Sequence, residues 1–298
     1  MSDSKLSDYF DTIQSIENEQ IKIANLNFFD IGYKVKNKTV LSELCLRLYI
    51  NGNKRPHEEL GTRAVPESIN GILTDVISTF PDNEELNNSE NPRVKMFDPL
   101  TGGISIGPEG DTATLGVIMR SNTFGNCALT TFHGNYINDV IYQPSKLDNS
   151  DTARPICTLI DHYFPLDISI VKLNVSGYLN QILDLSNPVS VASWNRIEQL
   201  FIEKRTVTKS GRSSEVSTGY ISGLDPLTKK VVIFPNDSAD PLTCKGDSGA
   251  VWIAKETNEI VAVHSRGESS NQISEFAVAF ALEPLMNYWN LTVNQVFA

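Results

Sequence analysis

The sequence contains no run approaching the roughly 18 uninterrupted apolar residues that a membrane helix needs, and its opening, Met-Ser-Asp-Ser-Lys-Leu-Ser-Asp-Tyr-Phe, lacks the apolar core of a signal peptide. Positive charge is also short. Lys and Arg number 25 against 36 Asp and Glu, a net charge of −11, which repels phosphate backbones and anionic lipid. Nucleic acid and membranes are therefore excluded as partners, and the expected address is cytoplasmic. Cysteine is scarce: Cys45, Cys127, Cys157 and Cys244 stand far apart, with no Cys-x-x-Cys pair and no Cys/His cluster. That spacing predicts four reduced thiols and no metal site. What remains is ordinary globular composition, 40% hydrophobic and 20% charged over 298 residues, enough for a large core and about two domains.

Along the chain, residues 4–24 place Leu6, Phe10, Ile13, Ile16 and Ile21 on one helical face, predicting a docked amphipathic helix. Residues 40–50 switch to strand-like spacing before the turn signal Asn51-Gly52-Asn53, and a second turn, Asn70-Gly71, leads into the apolar run 72–77. From 80 to 93 the chain is acidic, Asn-rich and nearly free of apolar side chains, which reads as a linker. Beyond Lys95 come short β-like runs at 114–119, 127–132, 140–143, 167–173, 189–192, 206–208, 216–221, 231–234, 250–254, 260–264 and 276–281, then a short helix over 282–289. This succession predicts a mainly β sandwich or barrel. The expected organisation is a separately packed α+β extension and linker over 1–95 and a β domain over 96–298.

The chemistry concentrates in Lys245-Gly246-Asp247-Ser248-Gly249-Ala250, directly before the apolar run Val251-Trp252-Ile253-Ala254. A serine hydroxyl attacks only with a base in hydrogen-bond reach and with donors aimed at the oxyanion it creates. Flanking glycines let the N–H groups of Gly246 and Ser248 converge. A plain hairpin turn uses the same residues, so the companions decide. Upstream, Cys127-Ala128-Leu129-Thr130-Thr131-Phe132-His133-Gly134 is an apolar strand ending in a histidine at a turn. Between the two, Asp167 heads an alternating strand, where it can fix the tautomer of an imidazole. The order His133, Asp167, Ser248 is that of chymotrypsin.

These motifs resemble those of trypsin-like serine proteases. His133 is similar to the histidine of Thr-Ala-Ala-His, Asp167 to the aspartate of Asp-Ile-Ala-Leu-Leu-Lys-Leu, and Ser248 to the nucleophile of Gly-Asp-Ser-Gly. The segment Lys209-Ser210-Gly211-Arg212-Ser213-Ser214-Glu215-Val216-Ser217-Thr218-Gly219 is similar to the Gly-Arg-Thr-Thr-Gly-x-Thr-x-Gly stretch of bacterial trypsin-like enzymes and of plant proteases related to the rice narrow-leaf protein. Residues 64–77 resemble a segment that precedes the protease domain there, so the resemblance spans about 40–285. It implies two six-stranded antiparallel β-barrels with a small N-terminal α+β extension. It also implies a cofactor-free serine endopeptidase working on protein or peptide through an acyl-enzyme, with an oxyanion hole at Gly246 and Ser248. Residues 260–267 become the substrate strand, with Leu242, Thr243, His264, Ser265 and Gly267 lining the substrate site. The extension would offer a surface for a regulatory protein partner.

The chain departs from that family in telling places. Gly134 replaces the cysteine of secreted animal enzymes, in keeping with a cytoplasmic protein. Leu242 stands where trypsin has its specificity aspartate, which predicts an apolar or small residue on the acyl side of the cleaved bond unless Glu268 supplies the charge. With no activation peptide in view, Asp247 needs another partner. His162 lacks the strand-then-turn context of His133, and His57 reads as solvent-facing. Asp148, Asp151 and Asp161 read as a solvated acidic loop. The alternative function is a protease-fold binding or scaffold protein with little turnover.

Overall fold

The computed structural model describes residues 3–19, 23, 25–36, 39–54, 64–81, 91–131, 133, 137–236, 241–269 and 275–293. Ile21, His57, Gly134 and most of the expected linker lie outside them.

The fold is mainly β. The N-terminal region holds helix α1 (Asp3–Glu19) and strands β1 (Leu26–Lys36), β2 (Thr39–Asn51), β3 (Ser68–Ile69) and β4 (Ile72–Pro81). A first group follows: β5 (Leu100–Gly102), β6 (Ile104–Ile106), β7 (Ala113–Leu115), β8 (Val117–Ser121), β9 (Gly125–Thr130), β10 (Val140–Gln143), β11 (Arg154–Tyr163), β12 (Ile168–Leu173) and β13 (Tyr178–Ile182). After β14 (Ser190–Val191) and helix α2 (Trp194–Ile202) come β15 (Thr206–Gly211), β16 (Glu215–Asp225), β17 (Lys230–Pro235), β18 (Val251–Ala254), β19 (Glu259–Ser269) and β20 (Glu275–Ala281). Helix α3 (Glu283–Tyr288) and β21 (Leu291–Val293) close the described chain.

In the first group the strands pair in the order β10-β11-β12-β9-β8-β21, with β6–β7 and β5–β13 as separate pairs. In the second, pairing runs β15-β18-β19-β20-β17-β16, and β15 also pairs with β16. Val117, Leu129, Ile168 and Ile170 of the first group share one apolar core with Val232, Val251, Val263 and Val278 of the second. That shared core fixes one group against the other, and their junction holds the site.

The separate packing expected for the N-terminal region is corrected by its strand pairing. Strand β1 continues the second sheet through Ile31↔Leu224 and Gly32↔Gly223, β2 pairs with β1 and β4, and β4 returns to β19. One face of β2 (Leu44, Leu46, Leu48) joins the core that holds Trp252 and Ile221, while Tyr49 joins the core shared by the two groups. Both faces are thus covered, which is why 44–50 reads as an almost continuous buried run. Buried Arg47 makes a two-point contact with Asp30 (2.7 and 2.6 Å) and donates to Ser222 of β16 at 2.9 Å. Removing one partner of such a buried pair costs about 3–5 kcal/mol, and the bond to Ser222 ties the pair to the second sheet.

Helix α1 forms as its apolar spacing predicts, burying Leu6, Ile13 and Ile16 in the same core as Trp194, Ile197, Leu200 and Phe201 of α2. Helix α2, capped by Ser193 accepting from the Arg196 N–H at 3.3 Å, is absent from the sequence reading. The expected solvated acidic loop is also corrected. The Asp148 side chain is 1% exposed and ion-paired with Arg212, and it accepts from Ser105 at 2.5 Å and Thr112 at 3.2 Å. Asp161 accepts from Trp289 Nε1 at 2.9 Å, and of the three only Asp151 is exposed.

Candidate active site

His133 follows β9 by three residues, on the rim where the two strand groups meet. Asp167 ends a 3-10 turn, Phe164–Leu166, in left-handed backbone (φ 49°). Its carbonyl accepts from Thr131 Oγ1 at 2.7 Å, tying it to the segment that leads to His133. This kink before β12 turns the carboxylate toward the imidazole, and Asp167 Oδ2 lies 2.9 Å from His133 Nδ1. The other ring nitrogen, Nε2, is 3.0 Å from Ser248 Oγ. The three residues singled out from sequence are therefore brought into one relay of two hydrogen bonds.

The relay is held from the second strand group as well. Ser265 Oγ donates to Asp167 Oδ2 at 2.6 Å, and Ser248 Oγ is 2.9 Å from the Ser265 carbonyl. The hydrogen bond to Asp167 raises the His133 pKa above its ordinary 6.5 against the opposing effect of burial. An imidazole paired in this way gains a proton from a neighbouring hydroxyl more readily than one alone.

Gly249 leaves the turn that carries Ser248 at φ +92°, and a Cβ there would come within 2.4 Å of Thr130 Oγ1, so only glycine lets Ser248 approach β9. Gly246, at φ +96°, turns the backbone ahead of Asp247. Thr114 holds two carbonyls of this turn, with Oγ1 donating to Gly246 O and N–H to Ser248 O, each at 2.8 Å. Among the described residues neither the Gly246 nor the Ser248 N–H is taken by a backbone carbonyl.

Asp247 faces inward and finds the partner the sequence left unnamed. Lys209 Nζ sits 2.7 Å from Asp247 Oδ2, with both side chains fully buried. The N–H groups of Ser213, Ser214 and Cys244 donate to the same carboxylate at 2.8, 3.1 and 3.0 Å. Burial alone would raise its pKa, but Lys209 first, and then the Ser214 hydroxyl donating to Oδ2 at 2.5 Å, bring it down to about 2. The anion thereby locks the loop that carries Ser248.

His162, set aside in the sequence as a weaker histidine, lies closer than expected. Its side chain is 2% exposed, its Nε2 is 3.8 Å from Asp167 Oδ1, and its Nδ1 is 2.8 Å from Ser169 Oγ. Burial lowers its pKa, so it stands as a neutral wall behind Asp167. Nothing in the residue pattern marked this, because the contact comes from the β11–β12 pairing His162↔Ser169.

Of the substrate-site candidates, Ser265 and Gly267 lie on β19, and the β18-side edge there is open among the described residues. Leu242 is 1% exposed and packed in the core with Trp252. Thr243 Oγ1 is 2.7 Å from Nε2 of buried His264, whose Nδ1 has no partner among the described residues. Burial, then Lys209, depresses the His264 pKa to about 3, so this ring is neutral. The carboxylate beside 242–243 is Glu275, accepting from the N–H groups of Leu242 and Thr243 at 3.1 and 2.7 Å. Glu268 instead pairs with Arg266 at 2.9 Å. Sequence reading missed Glu275 because it meets Leu242 and Thr243 from 33 and 32 residues further along the chain.

Among the described residues no helix is long and apolar enough to cross a membrane, and no group of three or more His, Cys, Asp and Glu side chains is arranged to hold a metal ion.

No family model and no curated protein matches the sequence. Among solved structures, the chain is similar to Nocardiopsis protease (14% identity, TM-score 0.49, 66% of this chain and 99% of that one) and to Thermobifida fusca protease A (14%, 0.46, 65% and 97%). It is also similar to a glutamic acid specific serine protease (16%, 0.49, 65% and 100%).

Proposed function

We propose that the protein is a serine endopeptidase of the trypsin-like class, built on two six-stranded β-barrels over 96–298 with residues 1–95 as an extension. The carrying observation is His133 standing 3.0 Å from Ser248 Oγ and 2.9 Å from Asp167 Oδ2. Ser248 attacks the peptide carbonyl, its proton passing to His133 Nε2. Asp167 holds the ring and stabilises the imidazolium, and the N–H groups of Gly246 and Ser248 receive the oxyanion. His133 then protonates the leaving amine, and water enters by the same route to release the acyl group. The steps call on no cofactor. The ring of pairings β15-β18-β19-β20-β17-β16-β15 supports one barrel, and the motifs at 64–77 and 209–219 support the narrow-leaf-type, cytoplasmic subclass. Labelling of Ser248 by a fluorophosphonate, together with peptide turnover, tests the reading. Both should vanish in Ser248→Ala, and a wild-type protein that takes no label would overturn it.

A further inference from the structure

Strand β19 has two edges. One is taken by β20 from Ala262 to Ser269. On the other, β18 pairs as far as Val263, and the 2.8 Å bonds from Gly249 N–H to His264 O and from His264 N–H to Ala250 O carry that contact to His264. Glu268 and Ser269 pair with Phe276 and Glu275 of β20 and also with Pro81 and Phe80 of β4. A strand residue has one neighbour per edge, so β4 occupies the same edge as β18. Between them lie Ser265, Arg266 and Gly267, about 10 Å of strand.

Ser248 stands at the β18 end of this gap, 2.9 Å from the Ser265 carbonyl. A peptide whose reacting carbonyl meets Ser248, and which pairs antiparallel to β19, sets its first acyl-side residue opposite Ser265 and its third opposite Gly267. Its fourth would fall where Pro81 already faces Glu268. Since β4 is itself antiparallel to β19 and ends at Pro81, it runs in the direction of such a peptide and stops where the peptide would begin. The junction is fastened: Ser269 Oγ donates to Phe80 O at 3.4 Å, Asn27 Nδ2 to Glu268 Oε2 at 3.4 Å, and Glu268 is 6% exposed.

We infer that β4 of the N-terminal extension closes the acyl-side end of the substrate edge, so that three residues before the cleaved bond pair with β19 and the fourth is turned away. This rests on the endopeptidase reading and gives the extension a direct part in substrate selection. The test is a set of fluorogenic peptides of one sequence, carrying the first acyl-side residue that a library scan selects, with the acyl side lengthened from one residue to five. On the wild-type protein kcat/KM should climb through the third residue and then stay within about twofold for the fourth and fifth. The same lengths are read as affinities on Ser248→Ala by fluorescence polarisation and should level off at the same point. A gain of about tenfold or more from the fourth residue overturns the inference while leaving the protease reading intact. Absence of both turnover and Ser248 labelling overturns that reading and the inference with it.

Discussion

Lys209 Nζ lies 2.7 Å from Asp247 Oδ2 with neither side chain exposed, so the carboxylate next to Ser248 is neutralised by a lysine of its own chain. The loop that carries Ser248 is then set by folding itself, with no new amino terminus required. Lys209→Met should leave Asp247 charged and unpaired in the interior, lowering stability by about 3–5 kcal/mol. A urea titration giving a loss under about 1 kcal/mol would contradict the pair's role. The sign with pH follows from the depressed pKa. Stability from Asp247 is in place above its ordinary 3.8 and is lost as pH falls toward about 2. Asp247→Asn should remove that slope.

The raised pKa of His133 gives a second prediction. The ring must be neutral to accept the Ser248 proton, so kcat/KM should rise with pH along a limb whose midpoint lies above 6.5, the ordinary imidazole value. Asp167→Asn removes the largest cause of the upward shift and should move the limb down while cutting kcat by about 10⁴. The His133 side chain is half exposed, so the limb should also move down as salt is added. A limb insensitive to Asp167→Asn would mean that another group titrates.

Two histidines face one aspartate, and their contributions should differ sharply. His133→Ala removes the base and should cost about as much as Ser248→Ala, on the order of 10⁴–10⁶ in kcat, because the members of such a relay act as a unit. His162→Gln leaves the His133–Asp167 bond in place and should cost less than about tenfold. Steady-state rates of the two variants on one substrate decide it, and the reverse order would mean that the base is misassigned.

The parts of this molecule that could be read from sequence are those written in local pattern. The apolar stripe of α1, the near alternation of β2, and His133, Asp167 and Ser248 at strand ends each declare themselves within ten residues. Helix α2 was overlooked although Trp194, Ile197, Leu200 and Phe201 carry helical spacing behind a Ser193 cap, because at nine residues it offers barely two turns of that pattern between two strands. The joining of the extension to the second sheet was hidden for another reason. It rests on pairings such as Gly32↔Gly223 and on Arg47 reaching Asp30 and Ser222, contacts between residues far apart in the chain. The polar, Asn-rich stretch after Pro81 suggested a boundary, but a linker in sequence does not require independence in space. The same holds for His162, whose place beside Asp167 comes from strand register, and for Glu275, which meets Leu242 and Thr243 from 33 and 32 residues further along the chain.

That distinction leads to the last prediction. Residues 82–90 carry polar and acidic side chains with a single leucine, a composition that invites proteolytic nicking. If the extension were a separate unit, a cut there would release it. The pairing of β1 with β16 and of β4 with β19, the Arg47–Asp30–Ser222 contact, and the shared core of α1 and α2 argue the opposite. After a cut within 82–90, the two fragments should co-elute on gel filtration in native buffer and part only in denaturant. Arg47→Ala strands Asp30 without its partner, and at about 3–5 kcal/mol for a broken buried pair the nicked variant should come apart at a clearly lower urea concentration than the nicked wild type. Fragments that separate in native buffer would show that the extension is held by the intact chain rather than by the sheet, and would take with them the claim that β4 walls the substrate edge.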